Sequence, residues 1–334
     1  MRSNFGGVGE ATNLPASGNV MKFQQGDTLL SNIRPYLKKI WKAEFSGGCS
    51  ADIFVFRSNT LCNQDFLYYT LANEKFISYA MSGAKGVKMP RGDKEQMLKY
   101  ELHLPTTTEQ DKITSLLSLL DERIATQIKI IEKLESLIRG ISNSLLYADN
   151  GTSVRIGDIL TERVEKTKIN NQHEVLSSTV KGIFSQREYF SKDIASENNI
   201  GYKVIRLHDV VLSPQNLWMG NINYNDRFEV GIVSPSYKIF TIADGYDKTF
   251  IASMLKTHRA LYNYMLVSEQ GASVVRRNLN MEAFEQLVFK IPPYEKQRKI
   301  GITLSALNAR LVNANAAKIA YEQQKQWLLT QMFI

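Results

Sequence analysis

The apolar residues of two long stretches recur with the spacing of a coiled coil. In the first stretch the steps between apolar positions alternate between four and three residues, and the pattern breaks only at Gln127. A repeat that averages about 3.5 residues predicts a long helix whose apolar seam faces a partner helix. The predicted seam positions are Ile113, Leu117, Leu120, Ile124, Ile131, Leu134, Ile138, Ile141 and Leu145.

A second stretch near the end of the sequence repeats this pattern in a weaker form, because Lys318 and Lys325 interrupt it. Two such seams in one chain predict that the helices pack on each other, either as a plain coiled coil or as a spacer. Each helix would be roughly 55 Å long at about 1.5 Å per residue. The second seam comprises Ile300, Leu304, Leu307, Leu311, Tyr321 and Leu328.

Landmarks around the two stretches match at a constant offset of 187 residues. Solenoid repeats have periods of about 20–50 residues, so this longer period indicates a duplicated module instead. The module is a globular piece followed by a long helix. The matched pairs are Pro105 with Pro292, Gln110 with Gln297, Ile113 with Ile300, Arg123 with Arg310 and Glu135 with Glu322.

The two globular pieces have the same predicted order of elements, namely a turn and buried strand, a β-rich run and a helical run. These elements fall at 26–31, 52–56 and 64–79 in the first piece and at 208–213, 237–242 and 248–267 in the second. The expected fold class is α+β, with two mixed α/β domains separated by two long helices. The predicted segments are 1–108, 109–148, 149–294 and 295–334.

The formal charge of +8 favours a polyanionic partner, and nucleic acid is the first candidate. The alternative is a basic protein without such a partner. No stretch approaches the roughly 20 apolar residues of a membrane helix. Cys49 and Cys62 are too few for a disulfide framework or a metal knuckle, so we expect a reducing cytoplasm.

Basic and amide side chains cluster in turn-prone segments before each long helix. Such side chains are suited to phosphates and base edges, and amides can read adenine. Trp218 lies beside the amides, and we interpret it as a core or hairpin aromatic. The candidate DNA-contact residues are Lys85, Lys88, Arg91 and Lys94 in the first piece and Gln215, Asn216, Arg276 and Arg277 in the second.

Motifs for catalysis are absent from the sequence. There is no phosphate-binding loop, no Gly-x-Gly-x-x-Gly fingerprint, and no histidine pair at metal-ligand spacing. Residues 291–294 read Ile-Pro-Pro-Tyr, which is similar to a motif of amino-methyltransferases. In that motif the first residue is polar and accepts hydrogen bonds from the target amine. Isoleucine cannot accept them, so we interpret the segment as a strand end.

The duplicated order of these features resembles the specificity subunit of type I restriction-modification systems. The resemblance rests on the strand-end proline, the Gln-x-Lys-Ile at 110–113 and 297–300, and the long helix after each. Gly83, Gly271 and residues 327–333 add to it. It extends over nearly the whole chain, and it implies that each globular piece is a target recognition domain reading one half of a bipartite DNA site.

The resemblance also implies that the helices form an antiparallel coiled coil that sets the spacing of the half-sites and docks modification subunits. Those partners would carry the methyltransferase and bind S-adenosylmethionine, and a restriction/translocase subunit would cleave. The chain itself would be non-catalytic, hold no cofactor and no metal, and be cytoplasmic with no membrane contact.

One departure from the family pattern concerns the start of the sequence. Residues 154–160 resemble the family's opening strand and turn, and the first domain has no counterpart to them. We therefore expect the first target recognition domain to be incomplete at its N-terminus. Two other functions remain open from the residues, a coiled-coil adaptor with protein-binding globular ends and a single-chain modification enzyme.

Overall fold

The computed structural model describes residues 1–10, 20–145, 151–189, 198–270 and 277–333. It confirms the α+β fold class. The chain divides into two compact units. Unit 1 is Met1–Ile130 with Ala314–Ile334, and unit 2 is Ile131–Asn313. Each long helix contributes residues to both units, and the predicted boundaries at 108, 148 and 294 stay a prediction.

Unit 1 is built on an antiparallel sheet with strand order β3-β2-β5, and β1 pairs separately with β4. All four residues of β2 are buried because this strand is central. The elements are β1 Met21–Phe23, β2 Thr28–Ser31, β3 Ile40–Lys42, β4 Gly47–Cys49, β5 Ile53–Phe56, α1 Gln64–Ala72, α2 Glu74–Ser82, α3 Lys94–Leu98 and the first part of α4 Thr107–Leu145.

Helices α1 and α2 cover one face of this sheet. Asn63 and Asn73 cap them, each through a side-chain oxygen that accepts a backbone N–H two residues later. Asparagine is among the preferred N-cap residues for this reason. The core between sheet and helices includes Leu30, Ile40 and Phe76, all at most 1% exposed.

Unit 2 contains a larger antiparallel sheet with strand order β12-β11-β14-β7 and a pair formed by β17 and β6. Its elements are β6 Thr152–Arg155, α5 Ile156–Ile159, β7 Leu160–Glu162, β8 Leu176–Thr179, β9 Gly182–Ser185, α6 Gln186–Tyr189, β10 Lys203–Arg206, β11 Val210–Leu212, β12 Ile222–Tyr224, β13 Val230–Val233, β14 Lys238–Ile242, α7 Lys248–Leu255, α8 His258–Leu266, β15 Ser268–Gln270, β16 Arg277–Leu279, α9 Met281–Glu285, β17 Val288–Ile291 and the first part of α10 Tyr294–Met332.

The sheets of the two units have the same arrangement of central strands. In unit 1 Thr28 of β2 lies opposite Lys42 and Phe56, and in unit 2 Val210 of β11 lies opposite Tyr224 and Phe240. Strands β2, β3 and β5 therefore correspond to β11, β12 and β14. The fourth strand, β7, extends the sheet of unit 2 by pairing with β14.

A buried glutamine joins the start of α4 to the globular part of unit 1. The Gln110 Oε1 atom accepts the Asn63 N–H at 2.7 Å, and its Nε2 donates to the carbonyls of Leu61 and Pro105. Since Asn63 caps α1, the glutamine connects two helix starts. We call this set of bonds the unit 1 clamp.

Unit 2 repeats the clamp with Gln297. Its Oε1 accepts the N–H of Asp247, which caps α7, at 2.9 Å, and its Nε2 donates to the Pro292 carbonyl at 2.9 Å. A Cβ atom at Gly301 would lie 2.8 Å from the backbone nitrogen of Phe250. The close approach of α10 to α7 therefore requires a glycine at this position.

Within unit 1 the long helices run antiparallel. Gln127 Nε2 donates to the Ala314 carbonyl at 3.1 Å, the Arg123 guanidinium lies 5.9 Å from the Tyr321 ring, and Lys325 pairs with Asp121. Residue numbers along α4 therefore decrease as the numbers of their contact partners along α10 increase. The bond from Gln127 also accounts for the break in the predicted seam, since a polar residue is satisfied there.

The predicted seam residues are buried or half-buried wherever their side chains are described. Leu117, Leu120, Ile300 and Leu304 are buried. In unit 2, Ile138 and Ile141 pack against the cluster that contains Ile300 and Leu304. Leu329 is buried as well, although the sequence pattern did not select it. The half-buried seam residues are Ile113, Ile124, Ile131, Leu134, Ile138, Ile141, Leu307, Leu311, Tyr321 and Leu328, and the side chain of Leu145 lies outside the described residues.

Candidate nucleic-acid interface

A short basic hairpin projects from unit 1 between α2 and α3. The backbones of Lys85 and Arg91 exchange two hydrogen bonds of 2.9 Å, and Gly86 turns the chain with a φ of +99°. We call residues 85–91 the basic hairpin. Predicted contact residues Lys85, Lys88 and Arg91 all lie on it and are exposed, and Lys94 is exposed as the first residue of α3.

Arg34 holds the basic hairpin against the loop that follows β2. Its backbone N–H donates to the Pro90 carbonyl at 2.7 Å, and its guanidinium donates to the Lys88 carbonyl at 3.3 Å. Arg34 has a φ of 54°, a conformation that residues other than glycine seldom adopt. Sequence reasoning missed this residue, and its backbone conformation is visible only in the structure.

The charges of the basic hairpin are partly balanced by acids. Lys85 lies 3.2 Å from Asp93 and Arg91 lies 3.3 Å from Asp52. The pKa of Asp93 is lowered, most strongly by a hydrogen bond from the backbone N–H of Gln96 and less strongly by one from the Lys85 side chain. Both ion pairs are exposed and therefore weak, so the two cations remain available to a phosphate.

In unit 2 the loop that follows β11 carries the predicted amides. The Asn216 carbonyl accepts the N–H groups of Met219 and Asn221, and the buried Leu217 anchors the turn. We call residues 213–221 the amide loop. These bonds leave the Gln215 side chain exposed, whereas Asn216 is half-buried and shapes the loop through its backbone.

Arg277 lies against the amide loop and stacks on Trp218. Its backbone N–H donates to the Gln215 carbonyl at 3.2 Å, and its guanidinium carbon lies 4.7 Å from the centre of the Trp218 ring. Trp218 was interpreted from sequence as a core or hairpin aromatic. In the structure the half-buried ring lies under the guanidinium of Arg277, which was predicted to contact DNA. Arg276 lies outside the described residues.

The loops that follow the central strands, β2 in unit 1 and β11 in unit 2, occupy equivalent places. In unit 1 Ile33 forms a β-bridge with Arg91, and in unit 2 the Gln215 carbonyl accepts the N–H of Arg277. Each unit therefore connects an arginine from a later segment to the loop that leaves its central strand. Of the predicted contact residues that the structure describes, Lys85, Lys88 and Arg91 lie together on the basic hairpin of unit 1, and Gln215 and Asn216 lie on the amide loop of unit 2 beside Arg277.

A buried polar network supports the amide loop. Asn221 donates to the Ser178 carbonyl at 3.1 Å, Asn223 donates to the Ser178 hydroxyl at 2.7 Å, and the Tyr237 hydroxyl donates to the Ser178 carbonyl at 2.9 Å. Burial raises the pKa of the Tyr237 phenol. Satisfied buried networks of this kind fix one conformation, which gives the exposed loop a rigid base.

Within the described residues, no group of three or more His, Cys, Asp or Glu side chains is arranged to hold a metal ion. Those same residues include no helix both long and apolar enough to cross a membrane.

Comparisons with known proteins show a family model that matches part of this chain and solved structures with a similar fold. Residues 23–136 match the family model described as the type I restriction modification DNA specificity domain. A type I restriction-modification S subunit from M. genitalium is similar in structure, with a TM-score of 0.62 and 13% identity over 95% of this chain and 84% of that one. A chain from a structural study of type I system assembly and conformational transition has a TM-score of 0.51 and 16% identity over the same shares.

Proposed function

Because residues 23–136 match the family model of the type I restriction modification DNA specificity domain, we propose that the chain is the DNA-recognition subunit of a type I restriction-modification complex. Each unit reads one half of a bipartite site in double-stranded DNA. The chain catalyses nothing, and its partner modification subunits bind S-adenosylmethionine. A restriction/translocase subunit completes the assembly, which works on cytoplasmic DNA.

The observation that carries this proposal is the stacked Arg277 beside the exposed Gln215. Arginine pairs bidentately with guanine and glutamine with adenine, and each good pair discriminates by about 1–3 kcal/mol. The Trp218 ring holds the guanidinium in place, so less side-chain entropy is lost when it binds a base.

The long helices supply a surface for the modification subunits. In unit 1, Leu116 and Leu119 of α4 are exposed, and in unit 2, Ile302 and Val312 of α10 are exposed. Leu116 and Leu119 lie one helical turn apart, and exposed apolar side chains grouped in this way indicate a binding surface. We expect polar substitutions at these four positions to weaken modification-subunit binding without unfolding the protein.

Methylome sequencing of a host that carries this chain with its modification subunits tests the proposal directly. We expect a bipartite methylated motif with a fixed gap. Replacement of Arg277 by alanine should relax one base preference in one half of the motif and leave the other half unchanged. Lys168→Ala, at an exposed lysine outside both loops, serves as the matched control.

Failure to recover modification subunits with the intact chain would contradict the proposal. DNA binding that does not respond to salt would favour the coiled-coil adaptor instead, because phosphate contacts make protein–DNA affinity fall with salt. Binding of S-adenosylmethionine by the purified chain would favour a single-chain modification enzyme.

A further inference from the structure

A cavity of about 580 Å³ opens in unit 2 beside the start of α10. Four aromatic side chains and two carboxylates are among the groups that line it: His208, Tyr224, Tyr246, Tyr294, Asp244 and Asp247. None of these residues belongs to the amide loop or to the predicted DNA contacts. The cavity is therefore lined by residues other than those proposed to read bases.

Two of the aromatic rings form a fixed wall. The Tyr224 hydroxyl and His208 Nδ1 lie 2.5 Å apart in a hydrogen bond, and the two rings are within 18° of parallel. His208 also has a φ of 73°, which favours glycine over a residue with a side chain. An imidazole is held here despite that cost.

The charge inside the cavity is mainly negative. Asp247 is held by its role as the cap of α7, where its Oδ1 accepts the Phe250 N–H at 2.8 Å, and Asp244 is exposed. Burial, then the charges of Asp226 and Asp247, raise the pKa of Tyr224 to about 12. Lys248 is the one cation among the lining residues.

Unit 1 shows that the shared fold does not need these rings. Its residues at the matching positions are Gly26 for His208, Lys42 for Tyr224, Cys62 for Tyr246 and Thr107 for Tyr294. Gly26 has the same left-handed backbone as His208, with a φ of 93°. The aromatic wall is therefore an addition to the scaffold, which indicates a ligand.

We propose that this cavity binds an arginine side chain of a partner polypeptide. Aromatic faces attract cations, and a planar guanidinium both stacks on tyrosine and donates to carboxylates, which an ammonium group does less well. The carboxylates would repel a nucleic acid phosphate. The cavity is thus a protein-docking site separate from the DNA-reading loops.

The first test titrates the intact chain with N-acetyl-arginine amide and follows binding by calorimetry and tyrosine fluorescence. We expect saturable binding, and at least about 10-fold weaker binding of the N-acetyl-citrulline amide, which has the same shape but no charge. Equal binding of the two probes would overturn the proposal, as would the absence of saturable arginine binding at millimolar concentrations.

The second test uses variants of the lining. Tyr246→Leu and Asp244→Asn should each weaken arginine binding several-fold, whereas Thr107→Ala, at the position in unit 1 equivalent to Tyr294, should not. Preferential binding of adenosine monophosphate over the arginine probe would also overturn the proposal. Circular dichroism and thermal unfolding check that each variant folds.

DNA affinity measured on the same variants separates this proposal from the DNA-recognition function. Asp244→Asn should leave the affinity for target DNA within the error of the measurement. Loss of DNA binding in that variant would place the residue in the DNA interface and contradict a separate docking site.

Discussion

Units 1 and 2 have the same central strands and the same clamp, and they differ in what they attach to that scaffold. Segment β6–α5–β7 of unit 2 covers β17 through β6, which pairs with it, and Phe289 and Ile291 of β17 are each 4% exposed. The matching Leu102 and Leu104 of unit 1 are 37% and 43% exposed, and no described strand pairs with them.

This comparison indicates that the central strands and the clamp are sufficient to form the fold that the two units share. The covering segment mainly decides how much apolar surface the end of each globular part buries. We expect the two units to differ in stability for that reason, with unit 2 the more stable.

Equivalent leucines of the two long helices give the largest expected effect. Leu117 in unit 1 and Leu304 in unit 2 are almost completely buried. Each leucine-to-alanine change should lower the free energy of unfolding by about 2–5 kcal/mol. Leu304→Ala should cost more, because it empties space in the larger core cluster, where relaxation is harder.

Urea unfolding monitored by tryptophan fluorescence measures both variants, and Leu119→Ala on an exposed position of α4 is the control. A greater loss for Leu117→Ala than for Leu304→Ala would contradict the ranking of the two units.

Replacement of the clamp glutamines should have an intermediate effect. Gln110→Ala removes three hydrogen bonds and Gln297→Ala removes two. Leaving buried partners unpaired costs about 1–3 kcal/mol, so we expect a loss of that size and a larger one for Gln110→Ala. Thermal unfolding measures the loss of stability, and Gln323→Ala, at an exposed glutamine of α10, is the control. Equal stability of all three variants would show that the clamps are dispensable.

Removal of one charge from the basic hairpin should have a small effect on DNA binding. Lys88→Ala should weaken non-specific affinity and reduce the salt slope by about one unit, as expected for one lost phosphate contact. Fluorescence anisotropy at several salt concentrations measures the slope, with Lys22→Ala as the control. An unchanged slope would place the hairpin away from the phosphates.

A pH effect restricted to unit 1 should be the smallest. The pKa of Asp27 lies below its ordinary value of 3.8, mainly because its carboxylate accepts hydrogen bonds from the Arg57 guanidinium. A hydrogen bond from the Gln24 backbone N–H lowers it by a smaller amount. The resulting stabilisation is therefore present above pH 3.8 and disappears as the pH falls through the lower, folded-state value.

The stability difference between the native chain and Asp27→Asn should consequently shrink as the pH drops below 3.8. Urea unfolding across that range measures it. A difference that stays constant down to the acid limit would contradict the lowered pKa.

Much of the fold could be predicted because the sequence contains two copies of the same module, a globular piece followed by a long helix. The heptad spacing gave helices close to the observed Thr107–Leu145 and Tyr294–Met332. The roles of Gln110 and Gln297 could not be predicted, since their backbone partners Asn63 and Asp247 lie about fifty residues earlier. A pattern along one helix carries no information on such distant contacts.

The candidate interface was predicted less well, because loop geometry decides which side chain meets which. Charge and amide content selected the basic hairpin and the amide loop, but the stack of Arg277 on Trp218 depends on a bond across the loop. Trp218 alone gives no sequence signal for that role. Arg34 was missed because its contacts depend on a left-handed backbone at that position, which the sequence does not indicate.

The Gln297 clamp also has a consequence for mutational robustness. Its hydrogen-bond partners, the N–H of Asp247 and the carbonyl of Pro292, are main-chain groups. A main-chain group remains present after most substitutions at its own position. The connection between helix α10 and the globular part of unit 2 therefore tolerates substitutions in the residues around it. Selection then acts on a single amide side chain, while the neighbouring surface is free to diversify.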